Sequence, residues 1–302
     1  VNRRQFLAAA AVAPFVARAW PALAAAPAPV VLVTCDAESR LALVDLRTFH
    51  IAGSIHTLPD PRSIERVGDV ALVCHTAVGA LSIVDRHGVR HVVRGLAEPR
   101  YAAAHPDGVH AFVTDSGRSS VSVVDVVRGR ILGRVGLAGW ARHLTISADG
   151  RRLWVGLGSA SDHVAVVDTA PLRHVRDLTP GFPAHDVGLA PDGRLWVTSG
   201  ARGLLAVGAA TQAADLAPQH VTFGAGRAYV TSGDSGTLHV HAHDGRVLAR
   251  TRIPTGSYNV QFAAGRVVTS SLSGGSLTVL DALGRNLASV QVAGSCHDAC
   301  VL

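Results

Sequence analysis

The chain has 302 residues, 48% hydrophobic and 17% charged, which excludes a disordered chain, because disorder goes with low hydrophobicity and high charge. Glutamate occurs only at Glu38, Glu65 and Glu98, and lysine and methionine are absent; helical bundles rely on those residues, so the balance points to β structure. The formal charge of +6 is carried by arginine, half of the excess as Arg3, Arg4 and Arg18; the other arginines are scattered and aromatics are only 5%, which argues against a nucleic-acid footprint.

The chain opens with Asn2-Arg3-Arg4-Gln5-Phe6-Leu7, followed by an apolar stretch to Val16 and the small residues Ala22-Leu23-Ala24-Ala25-Ala26. A basic start, an apolar core and a small-residue site are the parts of an export signal. Arg3-Arg4-Gln5-Phe6-Leu7 resembles the twin-arginine (Tat) pattern, with Asn2 where serine or threonine is usual. The resemblance implies a signal over 1–26, cleavage near Ala24 to Ala26, and a periplasmic or extracellular domain over 27–302. The apolar run is shorter than the roughly 20 residues a membrane span needs, and no later segment is long and apolar enough to replace it.

From residue 30 onward three motifs recur about every forty residues. The first is a strand ending in Val-Asp or its equivalent, at Val44-Asp45, Val84-Asp85, Val124-Asp125, Val167-Asp168, Val207-Gly208, His241-Ala242 and Leu280-Asp281. Upstream of each lies a β-branched run such as Phe112-Val113-Thr114 or Trp196-Val197-Thr198. Before that comes a turn, Pro106-Asp107-Gly108, Asp149-Gly150 or Asp192-Gly193, shortened to Ala225-Gly226 and Ala264-Gly265 in later units. Asp-Gly between apolar runs is a strong hairpin signal and predicts type I′ turns. Four short strands in forty residues make one β-propeller blade, and seven units fill the chain.

The first unit begins at Val30-Val31-Leu32-Val33, which corresponds to the second strand of the others. The last residues, Cys296-His297-Asp298-Ala299-Cys300-Val301-Leu302, correspond to an innermost strand. The expected fold is therefore all-β, a seven-bladed propeller of four-stranded blades. Its ring is closed by the C-terminal strand, 297–302 pairing with 30–35 to complete blade one and remove the free sheet edges. The Pro-Asp-Gly turn, Tyr229-Val230-Thr231-Ser232 and the Val-x-Val-Val-Asp strand together resemble the YVTN β-propeller repeat family. That resemblance implies a seven-bladed propeller of the bacterial envelope or exterior and implies no particular reaction.

No Gly-x-Ser-x-Gly elbow and no lysine are present, so a hydrolase elbow and Schiff-base chemistry lack support. Most aspartates sit in turns or at the repeated Val-Asp position, where a structural role is expected. The sixteen histidines are the informative type. His239, His241 and His243 alternate along one strand and share a face, with packing the expected role. The starts of the innermost strands gather polar residues at one channel mouth: Arg62, Arg100 with Tyr101, Arg142 with His143, His185 with Asp186, Gln219 with His220, Tyr258 with Asn259, and His297 with Asp298. Loops after the second strands bring Cys35, Cys74 with His75, and Asp115 to the same end.

The candidate ligand-binding set is Arg62, Arg100, Arg142, His143, His185, His220, Tyr258, Asn259 and His297. Guanidinium groups suit an anionic ligand, and neutral imidazoles accept a metal, for which His185, His220 and His297 are the candidate ligands. His75 and His143 could join them, with Asp186 or Asp298 orienting a ring. The register places Cys35 opposite Cys296 or its neighbour His297, which makes Cys35–Cys296 a candidate disulfide in an exported chain, while Cys74 and Cys300 read as core residues. The leading functional expectation is an envelope binding or scaffold protein, a monomer, taking an anionic small molecule or a peptide or protein partner at the channel mouth. The alternative is a metal- or cofactor-dependent propeller. The residues alone name no cofactor and leave open whether a reaction is catalysed.

Overall fold

The computed structural model describes residues 28–158 and 161–302. The export signal expected over 1–26 lies outside them. Seven four-stranded antiparallel sheets follow one another in the chain. Blade 2 is typical: Pro61–Val67 is innermost, then Val70–His75, Ala80–Asp85 and Gly88–Arg94. Blade 1 takes its innermost strand, Ala299–Val301, from the end of the chain and its other three, Val30–Cys35, Arg40–Asp45 and Ile51–His56, from the beginning. No helix among the described residues is long and apolar enough to cross a membrane.

The expected closure needs correction. The terminal ladder is short, matching Val31, Leu32 and Val33 with Val301, Cys300 and Ala299. It completes one blade, but no sheet closes on itself: the seven sheets remain separate, each with an inner and an outer edge. The ring is held by packing between sheets. Seven apolar clusters occupy the seven junctions between neighbouring blades; the one between blades 7 and 1 joins Val268, Leu277 and Val279 to Val31, Val33 and Val44. The hydrophobic effect scales with the apolar area removed from water, so every junction adds to ring stability without strand pairing from one blade to the next.

The turn chemistry explains the repeats. At the Val-Asp position Asp45 accepts from the backbone of Arg47 and Thr48 at 2.7 and 3.1 Å, and Asp85, Asp125 and Asp281 cap their turns in the same way. These are Asx turns, for which Asp is well suited. The Asp-Gly hairpins depart from the type I′ expectation. Only their glycines take positive φ, Gly108 at 69°, Gly150 at 73° and Gly193 at 85°. Asp107 and Asp149 instead accept backbone N–H groups two or three residues on. Both central residues have positive φ only in the shortened turns, Ala225-Gly226 (48° and 72°) and Ala264-Gly265 (50° and 71°).

Candidate functional site

Each blade presents two consecutive side chains at the start of its innermost strand: Arg62-Ser63, Arg100-Tyr101, Arg142-His143, His185-Asp186, Gln219-His220, Tyr258-Asn259 and His297-Asp298. In blades 2, 3 and 6 the ladder slips at this point, between Pro61 and Ile64, Pro99 and Ala102, and Pro218 and Val221. A bulge re-aims side chains that regular alternation would send to opposite faces. The second member of every pair lines a channel cavity of about 290 Å³. Deeper in the cavity come apolar side chains such as Leu144, Val187 and Val221, then Glu65, Thr145, Thr222 and Gln261.

Three imidazoles meet at the wall of this channel, His143 and His220 lining it and His185 beside them. The ligand nitrogens of His143, His185 and His220 all lie within 4.8 Å of one another. His143 is 2% exposed. Its Nδ1 faces the His185 carbonyl at 2.5 Å, which fixes the proton there and leaves the Nε2 lone pair directed at His220 Nε2, 2.9 Å away. His220 Nδ1 stands 3.6 Å from Asp186 Oδ2. His185 Nε2 is buried and has no hydrogen-bond partner. Gly200 (φ 61°), beginning the short 3-10 turn after the second strand of blade 5, makes room for His185: a Cβ there would lie 3.0 Å from its Nδ1. Tyr101 covers His143 with ring centroids 3.6 Å apart.

Burial dominates the electrostatics. It lowers His143 and His220 well below the usual imidazole range, reinforced for His143 by its two histidine neighbours and Arg142, and for His220 by His185, Arg142 and His297. His185 is pushed down to about 3 by burial and then by Arg142. All three rings are therefore neutral at neutral pH, the form that binds a metal. Burial also pushes Asp186 and Asp298 up to about 7. These two carboxyls staple neighbouring blades: Asp186 accepts from the Val221 backbone at 2.9 Å and Asp298 from Ile64 at 3.1 Å.

The other expected residues divide. Arg100 and Arg142 flank Trp140, their guanidinium carbons 5.1 and 5.4 Å from its ring. Burial pushes the Tyr101 phenol up, and the nearby Arg142 charge acts against that shift. Arg62 stands at the mouth near Asp60 at 3.8 Å. Asn259 lines the channel, whereas Tyr258 turns outward to Asp234 at 3.0 Å. His297 is pushed down to about 3 by burial and by Arg62, but its Nδ1 faces Asn259 Nδ2 at 3.4 Å, one blade beyond His220, and it stands apart from the triad. His75 is a core residue, bonded to the Pro59 carbonyl and the Ser82 hydroxyl at 3.0 and 2.9 Å. Asp115 is structural, accepting from Ala97 and Glu98. His239 pairs with Asp215, and His241 with the Gly245 carbonyl. All four cysteines are buried free thiols; Cys35 donates to the Val33 carbonyl at 3.7 Å, and Cys35 and Cys296 lie close enough to shift each other's ionisation.

Sequence reasoning missed Trp140, which sits in the connection between blades 3 and 4, where no strand register locates it. The signal was local: Trp140 stands two residues before Arg142, and Gly158 leaves space that a Cβ would fill at 2.7 Å from its ring.

The architecture and the histidine-lined channel define a seven-bladed β-propeller scaffold. No family model matches the sequence, and no curated protein matches it. The fold is similar to that of Kuenenia stuttgartiensis hydrazine synthase, with a TM-score of 0.70 and 17% identity over 82% of this chain and 92% of that one. It is also similar to a functionally unknown protein from Desulfotomaculum acetoxidans DSM 771, with a TM-score of 0.78 and 13% identity over 90% and 98% of the two chains. At these identities the likeness shows the fold alone.

Proposed function

We propose that this propeller is a metal-dependent protein that holds one transition-metal ion on His143, His185 and His220. The observation that carries this reading is the convergence of three neutral imidazoles, one buried and two half-buried, one of them with a ring nitrogen that nothing in the protein satisfies. A buried polar atom without a partner costs free energy, and a metal bond would remove that cost. Ligand nitrogens 2.0–2.1 Å from a tetrahedral zinc ion lie about 3.3 Å apart; here all three lie within 4.8 Å of one another, and one pair is at 2.9 Å. Three imidazoles suit zinc or copper and leave a fourth position open toward the channel. The Asp186 carboxyl, 3.6 Å from His220 Nδ1, stands on the side from which an outer hydrogen bond would orient a metal-binding imidazole. A plain binding or scaffold role accounts for the propeller but gives no reason to gather three imidazoles in the channel.

The same reading takes the mature domain to be an exported protein. Arg3-Arg4-Gln5-Phe6-Leu7 and the small residues up to Ala26 support this.

Elemental analysis, as purified and after dialysis against zinc or copper, tests the metal. One equivalent per chain is expected, falling by at least about tenfold in affinity in His143→Ala, His185→Ala and His220→Ala, with His297→Ala retaining it. A wild-type chain that takes up no stoichiometric metal under either condition overturns the reading.

A further inference from the structure

Arg142 lies beside the three histidines and has no acidic partner among the described residues. The carboxylate nearest Arg100, Glu98, stands 3.6 Å away and is itself half exposed. The Nε atoms of both arginines are buried and unpartnered. Neither guanidinium is loose, since each lies over the Trp140 ring. Arg142 also stands close enough to Tyr101 for its charge to act on the phenol, and the Tyr101 ring lies on His143 at 3.6 Å. Two cations with spare donors are thus built into the wall above the imidazole cluster.

The charge balance of the site follows. Neutral imidazoles would bring no negative charge to a bound dication. Arg142 would add a positive charge in partly desolvated surroundings, where charges interact more strongly than in water. A cationic or neutral ligand would leave this excess in place; an oxyanion would offset it and satisfy the guanidinium forks in bidentate fashion. On the reading of the three histidines as a metal site, we infer that its open position takes a small oxyanion, a carboxylate or phosphate group, held between the ion and the guanidinium groups of Arg142 and Arg100.

Cobalt(II) reports both levels, because its visible absorption changes with coordination. The full chain loaded with cobalt(II) is titrated with acetate and with inorganic phosphate. A saturable spectral change with at least one of them is expected. Arg142→Gln and Arg100→Gln should weaken that anion by about tenfold or more while leaving the anion-free cobalt spectrum unchanged. A cobalt spectrum that forms but ignores both anions at high millimolar concentration overturns the inference and leaves the metal reading standing. Wild-type anion affinity in both arginine variants also overturns it. Failure of cobalt to bind at all removes the metal reading, and the oxyanion position with it.

Discussion

Glu65, at the deep end of the channel, is enclosed by the blades while its side chain faces channel space. Burial pushes its carboxyl up from 4.5 to about 8, and the nearby Asp298 adds to the shift. A folded-state pKa above the unfolded one means that the native protein binds the extra proton between these pH values. The contribution is fully present below pH 4.5 and is lost as pH rises through 8. Glu65→Gln keeps the shape and removes the titration. The variant should therefore melt with the wild type below about pH 4.5 and exceed it above about pH 8, by several degrees at roughly 2–4 °C per kcal/mol. The channel histidines act in the opposite sense. His185 and His297, held at about 3, contribute stability above the unfolded value near 6.5 that is lost as pH falls toward 3. Both proteins share them, so the difference in Tm isolates Glu65. A pH-independent difference would show that the carboxyl ionises freely. At this scale the sequence placed the right strand starts but not which rings meet. Register puts His143, His185, His220 and His297 at one mouth. Whether a third ring beside His185 and His220 comes from blade 4 or blade 1 depends on side-chain rotation across the channel, which no spacing encodes.

Among elements, the strands were legible because turn chemistry punctuates them, and each turn has its own backbone demand. The longer Asp-Gly turns use aspartate as an acceptor and place only glycine at positive φ. The two-residue turns of blades 6 and 7 put Ala225 at φ 48° and Ala264 at φ 50°, where an L-residue with a Cβ is disfavoured by roughly 1–2 kcal/mol. Asparagine tolerates this conformation and is preferred before glycine in such hairpins. Ala225→Asn and Ala264→Asn should each raise stability by roughly 0.5–1 kcal/mol, read as a higher denaturant midpoint with an unchanged slope. Asp149→Asn should bring no such gain, because Asp149 is not in the left-handed region and its carboxylate accepts the Arg151 backbone N–H. Equal effects at all three sites would mean that local strain is not the cause. The bulges at Pro61, Pro99 and Pro218 stayed hidden in the sequence, since a slipped ladder changes direction without changing the apolar alternation that follows it.

For the whole molecule, the count of seven blades was readable from the repeat, and the nature of closure was not: a repeat shows that ends meet, not what force joins them. The ends meet in blade 1, where the three-residue terminal ladder is reinforced by bonds outside it. Arg86 reaches the carbonyls of Ala28 and Leu302, Arg40 that of Val292 at 3.1 Å, and Glu38 accepts from the Gly294 backbone at 3.1 Å. Cys35 and Cys296 sit at this same seam, both buried in one apolar cluster and near enough to shift each other's ionisation. Linking them would tie the first strand of the ring to the segment before its last, closing a loop that spans nearly the whole propeller. The chain-entropy account then gives a gain of up to about 5 kcal/mol, with roughly 2–4 kcal/mol typical of measured disulfides. Oxidised glutathione supplies the chemistry by exchange: the two thiols become one disulfide, and two molecules of reduced glutathione leave. After such treatment, unreduced peptide mapping should show a Cys35–Cys296 link, and the oxidised protein should melt several degrees above the reduced one. Cys35→Ser should abolish both the link and the gain. Cys74 and Cys300 lie in different interblade clusters and should stay as thiols. Persistence of four free thiols in folded protein after prolonged oxidation would show that the ends are held by packing and backbone bonds alone.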